Sequence, residues 1–370
     1  MKGFFGEQMK RVRTAELRPG MKTAEDVYSY NNQMILPQDT ILTDKMITRL
    51  EFYSILSIQI LDEDGAGNLR LTASRIQEGA PYSEKVKSSK QFKEFEKAYL
   101  RTAEGFKNDL HAIVEFRAQI DPQRMFNNIA GLITKNMTSN AVFDMLHNMR
   151  EYDDYTYIHS LNVSLICNIF AKWLKLSRRE IETVTLCGLL HDAGKLMIPE
   201  SIMRKPGKLT PSEYNIVKTH SLQGYNILKD YNINANVKEC ALMHHERCDG
   251  TGYPLGLTGD RINPYAKIVA IADVYDAMTS ARIYRGPLCP YKVISIFESE
   301  GLQKYEGKYI LTFLQHIAET YMNNRVRLSN GLEGDVVFMN RNSLSKPLIQ
   351  CGGEFVDLSR ESGVYIETFV

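Results

Sequence analysis

The charged segment 86–119 carries the clearest pattern of apolar and polar positions in the chain. Its apolar positions follow one another at steps of three or four residues and are Phe92, Phe95, Tyr99, Ala103, Phe106, Leu110 and Ile113. Such steps place side chains on one face of an α-helix, and the series has some heptad character. The pattern therefore predicts a long helix that packs on the domain following it. A pair of such helices joining two copies of the chain, in a homodimer, is the alternative.

Apolar positions from about 126 to 325 also recur at helical spacing, with little other pattern between them. One helix start is explicit in this part of the chain. In "LTPSEYNIVKTH" (209–220), Thr210 stands at the N-cap position, and Glu213 completes a capping box three residues later. The sequence thus predicts an all-α core.

The two ends of the chain differ from this helical part. Before it, short apolar runs between Pro-Gly and Asn-Asn turns indicate short strands, with a helix at 44–55 and a further strand at 57–62. After it, two β-rich runs flank Asn330 and Gly331 as in a hairpin, and "YIETFV" adds a strand. The predicted fold is multidomain, with a small α+β module at 1–78, a helical linker at 79–125, the all-α core at 126–325 and a β-rich cap at 326–370.

Composition excludes several classes of protein. The 370 residues include 45 Lys+Arg and 44 Asp+Glu, and this balance argues against binding a DNA or RNA polymer. The six cysteines form no CxxC pair, so neither a disulfide framework nor a zinc ribbon is indicated. Residues 1–13 lack the apolar stretch of a signal peptide, and the uncharged segment 155–171 contains histidine and asparagine. We therefore expect a cytoplasmic protein without a membrane partner.

Histidines are concentrated in one part of the core. Five of the eight lie between 159 and 245, and these are His159, His191, His220, His244 and His245. Any one of them alone would more often be a buried histidine with a hydrogen-bond partner than a ligand. Together with Asp192 and the acidic stretch "IADVYDA" (271–277), they form a set of imidazole and carboxylate donors that suits zinc, iron or manganese.

The spacing of these residues indicates how they could meet. Lys195 follows His191 by four residues and Asp192 by three, so a helix continuing through this stretch would carry all three on one face. Adjacent side chains in a regular helix diverge by about 100°. His244 and His245 can therefore reach one metal only at a helix end, and the glycines of the turn that follows supply such an end.

Five motifs in this order resemble the HD-GYP domain, a branch of the HD phosphohydrolase superfamily. They are "YTYIHSLNV", "HDAGK" (191–195), "VKTHSLQGY", "HHERCDGTGYP" (244–254) and "IADVYDAMTSARIYR" (271–285). The ordered set is highly specific, whereas a His-Asp dipeptide alone is not. The resemblance covers roughly 126–325. It implies an all-helical core whose metal centre hydrolyses the bacterial second messenger cyclic di-GMP to linear pGpG, to GMP, or to both.

The resemblance also implies a binuclear centre, with iron or manganese as the two divalent ions. Carried over by position, the ligands of one ion are His159, His191, Asp192 and Asp273. Those of the second ion are His220, His244 and His245, with Asp192 bridging the two ions. Some members of the family hold a third metal through a glutamate four residues before the first histidine. This chain has Tyr155 there, so two ions are expected.

The resemblance further implies roles in the reaction. Two cations neutralise phosphate charge and acidify a bridging water, so that hydroxide exists near neutral pH. The residues expected to carry out catalysis are Asp192 and Lys195, and those expected to bind substrate are Lys195, Tyr253, Arg282 and Arg285. Guanidinium forks suit phosphate oxygens, although "SARIYR" alone would indicate an ordinary solvated helix end. Glu246 and Asp249 are expected to orient histidines or to cap backbone groups.

Two other functions stay open on the sequence. The first is a metal phosphohydrolase for another cyclic dinucleotide or a nucleotide, since metal ligands do not select the base. The second is a non-catalytic sensor that binds cyclic di-GMP. The complete ligand set argues against the sensor, because a degenerate site should have lost at least one ligand.

Overall fold

The computed structural model describes residues 9–28, 34–43, 46–47, 50, 55, 57–61, 86–133, 137–149, 155–205, 207–280 and 287–370. The described α-helices are α1 Lys90–Phe116, α2 Pro122–Leu132, α3 Ser139–Asn148, α4 Tyr155–Trp173, α5 Arg178–Leu190, α6 Glu200–Met203, α7 Pro211–Lys218, α8 His220–Leu228, α9 Ala235–Met243, α10 Pro264–Thr279, α11 Pro290–Ile296 and α12 Gly307–Thr320. The strands are β1 Met9–Arg13, β2 Val27–Tyr28, β3 Met34–Leu36, β4 Ser57–Leu61, β5 Arg325–Leu328, β6 Glu333–Phe338, β7 Leu348–Cys351, β8 Glu354–Asp357 and β9 Ile366–Phe369.

Helix α4 is the centre of the helical core. Every residue from 159 to 171 is buried, which is the pattern of a helix surrounded by other elements on all sides. Two of its buried polar side chains make hydrogen bonds that offset the cost of their burial. Asn168 donates to the Thr185 hydroxyl on α5 (3.0 Å), and Ser164 donates to the carbonyl of Leu161 (2.8 Å). The helix therefore forms a fixed platform for the histidine that it carries.

Helices α5 and α10 pack against α4 and begin at well-formed caps. Ser177 and Glu180 form a capping box at the start of α5. At the start of α10, the Asn263 side chain accepts a hydrogen bond from the backbone of Tyr265, and Pro264 occupies the first turn. These caps fix where each helix starts, and so fix the position of the functional residues near the end of α5 and within α10.

Helix α1 confirms the predicted apolar stripe. All seven stripe residues are buried, and the helix packs on α2 and α4. Ser89 caps its N-terminus, accepting a hydrogen bond from the backbone of Phe92 (3.1 Å). The apolar stripe of α1 is thus buried by packing within the same chain, which is the first of the two arrangements that the sequence predicts. The homodimer through this helix stays a prediction.

A five-stranded antiparallel sheet follows the helices, in the order β8-β7-β6-β5-β9. The predicted hairpin is β5 and β6, and Gly331 in its turn has the positive φ of 86° that glycine tolerates. The strand predicted in "YIETFV" is β9, where Phe369 packs against Tyr321 with ring centroids 5.0 Å apart. The Glu298 carboxylate accepts hydrogen bonds from Leu344 and Ser345, which fixes the loop before β7 to the helical core.

The first described residues, together with 205–214, form a separate compact unit. Its strands pair as β1 with β4 and as β2 with β3, both antiparallel, and the predicted strand at 57–62 is β4. The predicted helix at 44–55 lies largely outside the described residues. In 205–214, Thr210 and Glu213 form the predicted capping box through contacts of 2.6 and 3.2 Å. None of the described helices has the length and apolar character needed to cross a membrane.

Candidate metal centre

The His-Asp pair lies where α5 ends. Leu190 is the last residue of the helix and His191 is its C-cap, after which 193–197 form a 3₁₀ turn. The helix therefore does not continue to Lys195, which was the condition for placing His191, Asp192 and Lys195 on one helical face. Lys195 still contacts the Asp192 carboxylate, because 3₁₀ geometry also brings residues three apart onto one side. Asp192 is almost completely buried.

Gly194 explains why the chain turns here. A Cβ atom at this position would lie 1.9 Å from the carbonyl oxygen of His220 and 2.4 Å from the backbone nitrogen of Gly224. Only a residue without a side chain permits such a close approach. The 3₁₀ turn therefore packs directly on α8, and this contact brings Asp192 to the imidazole of His220.

His220, His244 and His245 make up what we call the three-histidine group. Nε2 of His220 lies 3.2 Å from Nε2 of His244 and 3.1 Å from Nε2 of His245. His220 contacts the carbonyl of Val217 through Nδ1 (2.7 Å), and His244 contacts that of Ala241 (3.0 Å). A carbonyl only accepts, so in both rings Nδ1 carries the proton and the Nε2 lone pair points inward. Lone pairs at this distance repel unless a cation lies between them.

His159, His191 and Asp273 make up what we call the mixed group. Nε2 of His159 lies 3.0 Å from Oδ1 of Asp273, and its Nδ1 lies 2.7 Å from Oδ2 of Asp276. His191 donates through Nδ1 to the carbonyl of Gly188 (2.8 Å), so its Nε2 also presents a lone pair. A carboxylate or carbonyl behind each imidazole is the arrangement that orients metal-binding histidines.

Asp192 joins the two groups through its two carboxylate oxygens. Oδ1 lies 3.3 Å from Nε2 of His220, and Oδ2 lies 3.2 Å from Nε2 of His191. Asp192 Oδ1 and His191 Nε2 are nevertheless buried without a hydrogen bond of acceptable geometry to any described residue. Buried polar atoms of this kind need a partner. The donor set and these two atoms fit metal ions bound on both sides of Asp192.

Burial and mutual contacts set the charges in the centre. Burial lowers the pKa of His244 and His245 well below the ordinary histidine value, and neighbouring imidazoles lower both further. Burial alone would raise the pKa of Asp192, but His191 and Lys195 hold it well below its ordinary value. Contact with His159 does the same for the pKa of Asp273. Neutral imidazoles and ionised carboxylates are the forms that bind metals.

The loop of residues 246–257 closes one side of the three-histidine group. The Glu246 carboxylate accepts hydrogen bonds from the backbone of Leu255 (2.7 Å) and Leu257 (2.8 Å), so this side chain caps backbone groups. A Cβ on Gly252 would lie 2.4 Å from the Cα of Glu246, which requires glycine there. The ring of Tyr253 stacks on His245, with centroids 4.6 Å apart. Asp249, in turn, accepts hydrogen bonds from the backbone nitrogen (3.0 Å) and the hydroxyl (2.7 Å) of Thr251, so it caps a backbone group of this loop.

The structure thus brings together the residues that the sequence singled out as ligands. Arg282 and Arg285 lie outside the described residues, and so does the side chain of Tyr155, the first residue of α4. The sequence reasoning missed Asp276, which holds His159. Its spacing of three residues from Asp273 on one helix was a usable signal, because such residues share a face.

The HD domain family model matches residues 132–309. A cyclic di-GMP phosphodiesterase of Pseudomonas aeruginosa is 35% identical over 213 residues, which are 57% of this chain and 51% of the relative. A 3′3′-cGAMP-specific phosphodiesterase of Vibrio cholerae is 43% identical over 146 residues, 40% of this chain and 34% of the relative. An HDG"Y"P protein of Bdellovibrio bacteriovorus, a solved structure, is 18% identical with a TM-score of 0.48, covering 83% of this chain and 98% of its own.

The chain spans about half, or less, of the length of these two curated relatives. The matched segment contains the three-histidine group, the mixed group and Asp192. Residues 132–309 are therefore similar to the HD domain family, in the part of the chain whose ordered motifs resemble the HD-GYP branch.

Proposed function

We propose that this chain is a metal-dependent phosphodiesterase that hydrolyses cyclic di-GMP at a binuclear centre. The observation that carries the proposal is the pair of donor groups sharing Asp192, in which imidazole lone pairs converge at 3.1–3.2 Å. One ion is held by His159, His191, Asp273 and Asp192, and the other by His220, His244, His245 and Asp192. Nitrogen and oxygen donors of this kind suit iron or manganese. When bound, the ions supply positive charge and lower the pKa of a coordinated water.

The side chains of the centre are suited to an anionic substrate. Two carboxylates, Asp192 and Asp273, face two divalent cations, so the loaded centre keeps a net positive charge. Lys195 adds another positive charge beside Oδ2 of Asp192, on the side of the mixed group. In such a buried position a cation stabilises the charge that develops on the phosphate during attack. Asp192 and Lys195 are therefore the residues that we assign to catalysis.

Substrate recognition is assigned to residues around the mouth of the centre. The aromatic face of Tyr253, next to His245, suits stacking on a guanine, and the Lys218 ammonium lies 6.0 Å from the centre of that ring. Arg282 and Arg285 follow the metal ligand Asp273 along the chain and are proposed to hold phosphate oxygens. This arrangement would bind a cyclic dinucleotide through one base and two phosphates.

One observation favours a second substrate. A relative 43% identical over 146 residues is named as specific for 3′3′-cGAMP, so the matched segment does not by itself select between the two cyclic dinucleotides. These substrates differ in one base only. Any discrimination must therefore come from contacts to that base, since both present the same two phosphodiesters.

The test is anaerobic purification of the full chain, metal analysis, and product identification with both substrates in parallel. We expect about two ions per chain, iron or manganese, and faster hydrolysis of cyclic di-GMP than of 3′3′-cGAMP. A faster rate with 3′3′-cGAMP would support the second substrate. A protein that holds two ions and binds cyclic di-GMP without ever cleaving it would be a sensor, and the proposed enzyme activity would be wrong.

A further inference from the structure

His159 is oriented differently from the other histidines of the centre. His191, His220 and His244 each use Nδ1 to contact a backbone carbonyl three residues earlier in the chain. Such contacts are local, and they form whenever the helix end forms. His159 instead contacts the Asp276 side chain of another helix through Nδ1 (2.7 Å). The direction of its Nε2 therefore depends on where that carboxylate lies.

The other oxygen of Asp276 is held by a side chain of α4. Oδ1 accepts hydrogen bonds from Nδ2 of Asn162 (3.0 Å) and from the Ser280 hydroxyl (3.1 Å). The Asn162 carbonyl in turn accepts from the hydroxyl of Tyr99 (2.5 Å). Reversing the Asn162 amide would point its oxygen at the carboxylate, so the contacts determine its orientation.

Tyr99 belongs to α1, which lies outside the segment matched by the family model. It occupies the middle of the apolar stripe and is completely buried, but it is the stripe residue that carries a hydroxyl. Burial, with the nearby Asp276 charge, raises the pKa of Tyr99 well above the ordinary value, so the phenol remains a donor. Four side chains from three helices thus form one directional chain of hydrogen bonds that ends on a proposed metal ligand.

We propose that Tyr99 on α1 is a positioning residue for the mixed group, acting through Asn162 and Asp276 on His159. The inference rests on the metal centre of the proposed function. Its consequence is that α1, the helix that joins the N-terminal unit to the HD domain along the chain, belongs to the metal centre functionally. A shift of α1 that lengthens the Tyr99–Asn162 contact by about 1 Å would break this hydrogen bond.

The chain offers a matched control for the hydroxyl of Tyr99. Tyr231 is also buried, and its hydroxyl donates to the carbonyl of Ile113 on α1 (3.0 Å). Each of Tyr99→Phe and Tyr231→Phe removes one buried phenol hydroxyl that links α1 to a neighbouring element, α4 for Tyr99 and the segment after α8 for Tyr231. Only the first substitution interrupts the hydrogen bonds leading to His159.

The experiment titrates the metal-free full chain with Mn²⁺ alone and follows each ion bound. Asp276→Asn should weaken binding at the mixed group by about 10–100-fold, as loss of a residue behind a metal-binding histidine does. Tyr99→Phe should weaken it by about 2–10-fold, the effect of one neutral hydrogen bond on an equilibrium. Tyr231→Phe should bind like the wild type. In the presence of Asp276→Asn, adding Tyr99→Phe should change nothing further, because its effect passes through Asp276.

Three results would overturn the inference: unchanged Mn²⁺ binding in Tyr99→Phe, an equal loss in Tyr231→Phe, or a Tyr99 effect that persists fully beside Asp276→Asn. Each leaves the proposed function standing, because none concerns the substrate. Conversely, a wild-type chain that binds two Mn²⁺ ions and cleaves no cyclic dinucleotide would show that the proposed activity is wrong. The positioning role of Tyr99 would not be affected by that result. A wild-type chain that binds no ion would overturn both.

Discussion

The two donor groups around Asp192 are built in different ways. In the three-histidine group, His220 and His244 are oriented by carbonyls of the helical turn just before them. In the mixed group, His159 is oriented by a carboxylate 117 residues away in the chain, and it faces Asp273 on the same distant helix. His220 and His244 are therefore fixed by local backbone geometry, and His159 by the packing of α4 against α10.

This difference bears on how the two ions would be held. Backbone carbonyls at helix ends move little, so the three-histidine group is preorganised as soon as its helices form. In the mixed group, His159 depends on side-chain contacts with Asp273 and Asp276 of α10, each of which can be lost separately. We therefore expect the mixed group to be the adjustable half of the centre. If the two halves are separable, a substitution in one group should leave the ion of the other group bound, whereas a substitution of the shared Asp192 should affect both.

Asp192→Ala removes the carboxylate that contacts both groups and should have the largest effect. Its two oxygens lie 3.3 Å from His220 and 3.2 Å from His191, so neither ion keeps its full ligand set. We expect metal analysis to find less than one ion per chain and hydrolysis to fall below detection. Asp260→Ala, which changes an exposed carboxylate, is the control and should behave as wild type. Two ions retained in Asp192→Ala would exclude the bridging role.

Asp273→Ala and His244→Ala separate the halves. Asp273 contacts His159 in the mixed group, whereas His244 contacts His220 in the three-histidine group. Each variant should retain about one ion per chain and lose activity by about 10² or more, since the proposed reaction uses both cations. Anomalous scattering should place the remaining ion in the opposite half in the two variants. Loss of both ions from either variant would mean that the centre loads as one unit and that the comparison does not hold.

Lys195→Ala tests a charge that lies beside the mixed group without belonging to it. Lys195 contacts Asp192 and is not a metal ligand, so both ions should stay bound. Turnover should fall by about 10², the effect of removing one positioned charge or acid. Steady-state rates and metal content measured on the same preparation check this, with the exposed Lys229→Ala as control. A normal rate in Lys195→Ala would remove this residue from the mechanism.

The sequence predicted the elements that follow from local pattern. The stripe of α1, the capping box at Thr210 and the β5–β6 hairpin all depend on residues close together in the chain, and the structure contains each of them. The grouping of the five histidines came from the ordered motifs. It could not have come from periodicity, because His159 and Asp273 meet only when α4 packs on α10.

Tertiary contacts account for what the sequence did not predict. The spacing places His191 and Lys195 on one helical face only if the helix continues, but Gly194 packs against the carbonyl of His220 and the chain forms a 3₁₀ turn instead. Asp276 and Asn162 were missed because their contacts to His159 and Tyr99 require three helices at fixed rotations. Spacing within one helix shows which residues share a face, but it does not show which neighbour that face meets.

The smallest expected effect is on the free energy of unfolding of the metal-free protein. We expect it to depend on pH through the three-histidine group. His220, His244 and His245 have a pKa lowered from 6.5 by burial, so the folded state keeps them neutral where the unfolded chain is protonated. The unfolded state then binds more protons, and the free energy of unfolding falls as pH drops below about 6.5. Each pKa unit of depression contributes about 1.4 kcal/mol once the pH is below the folded value.

Denaturant unfolding of the metal-free chain at pH 7.5, 6.5 and 5.5 measures this loss. His244→Gln removes one of the buried imidazoles and should flatten the decline between pH 6.5 and 5.5. The reason is that His244 is protonated only in the unfolded chain, so its removal eliminates one proton taken up on unfolding. An equally steep decline in His244→Gln would show that His244 does not contribute to the acid sensitivity of the free energy of unfolding. The acid sensitivity would then arise outside the three-histidine group.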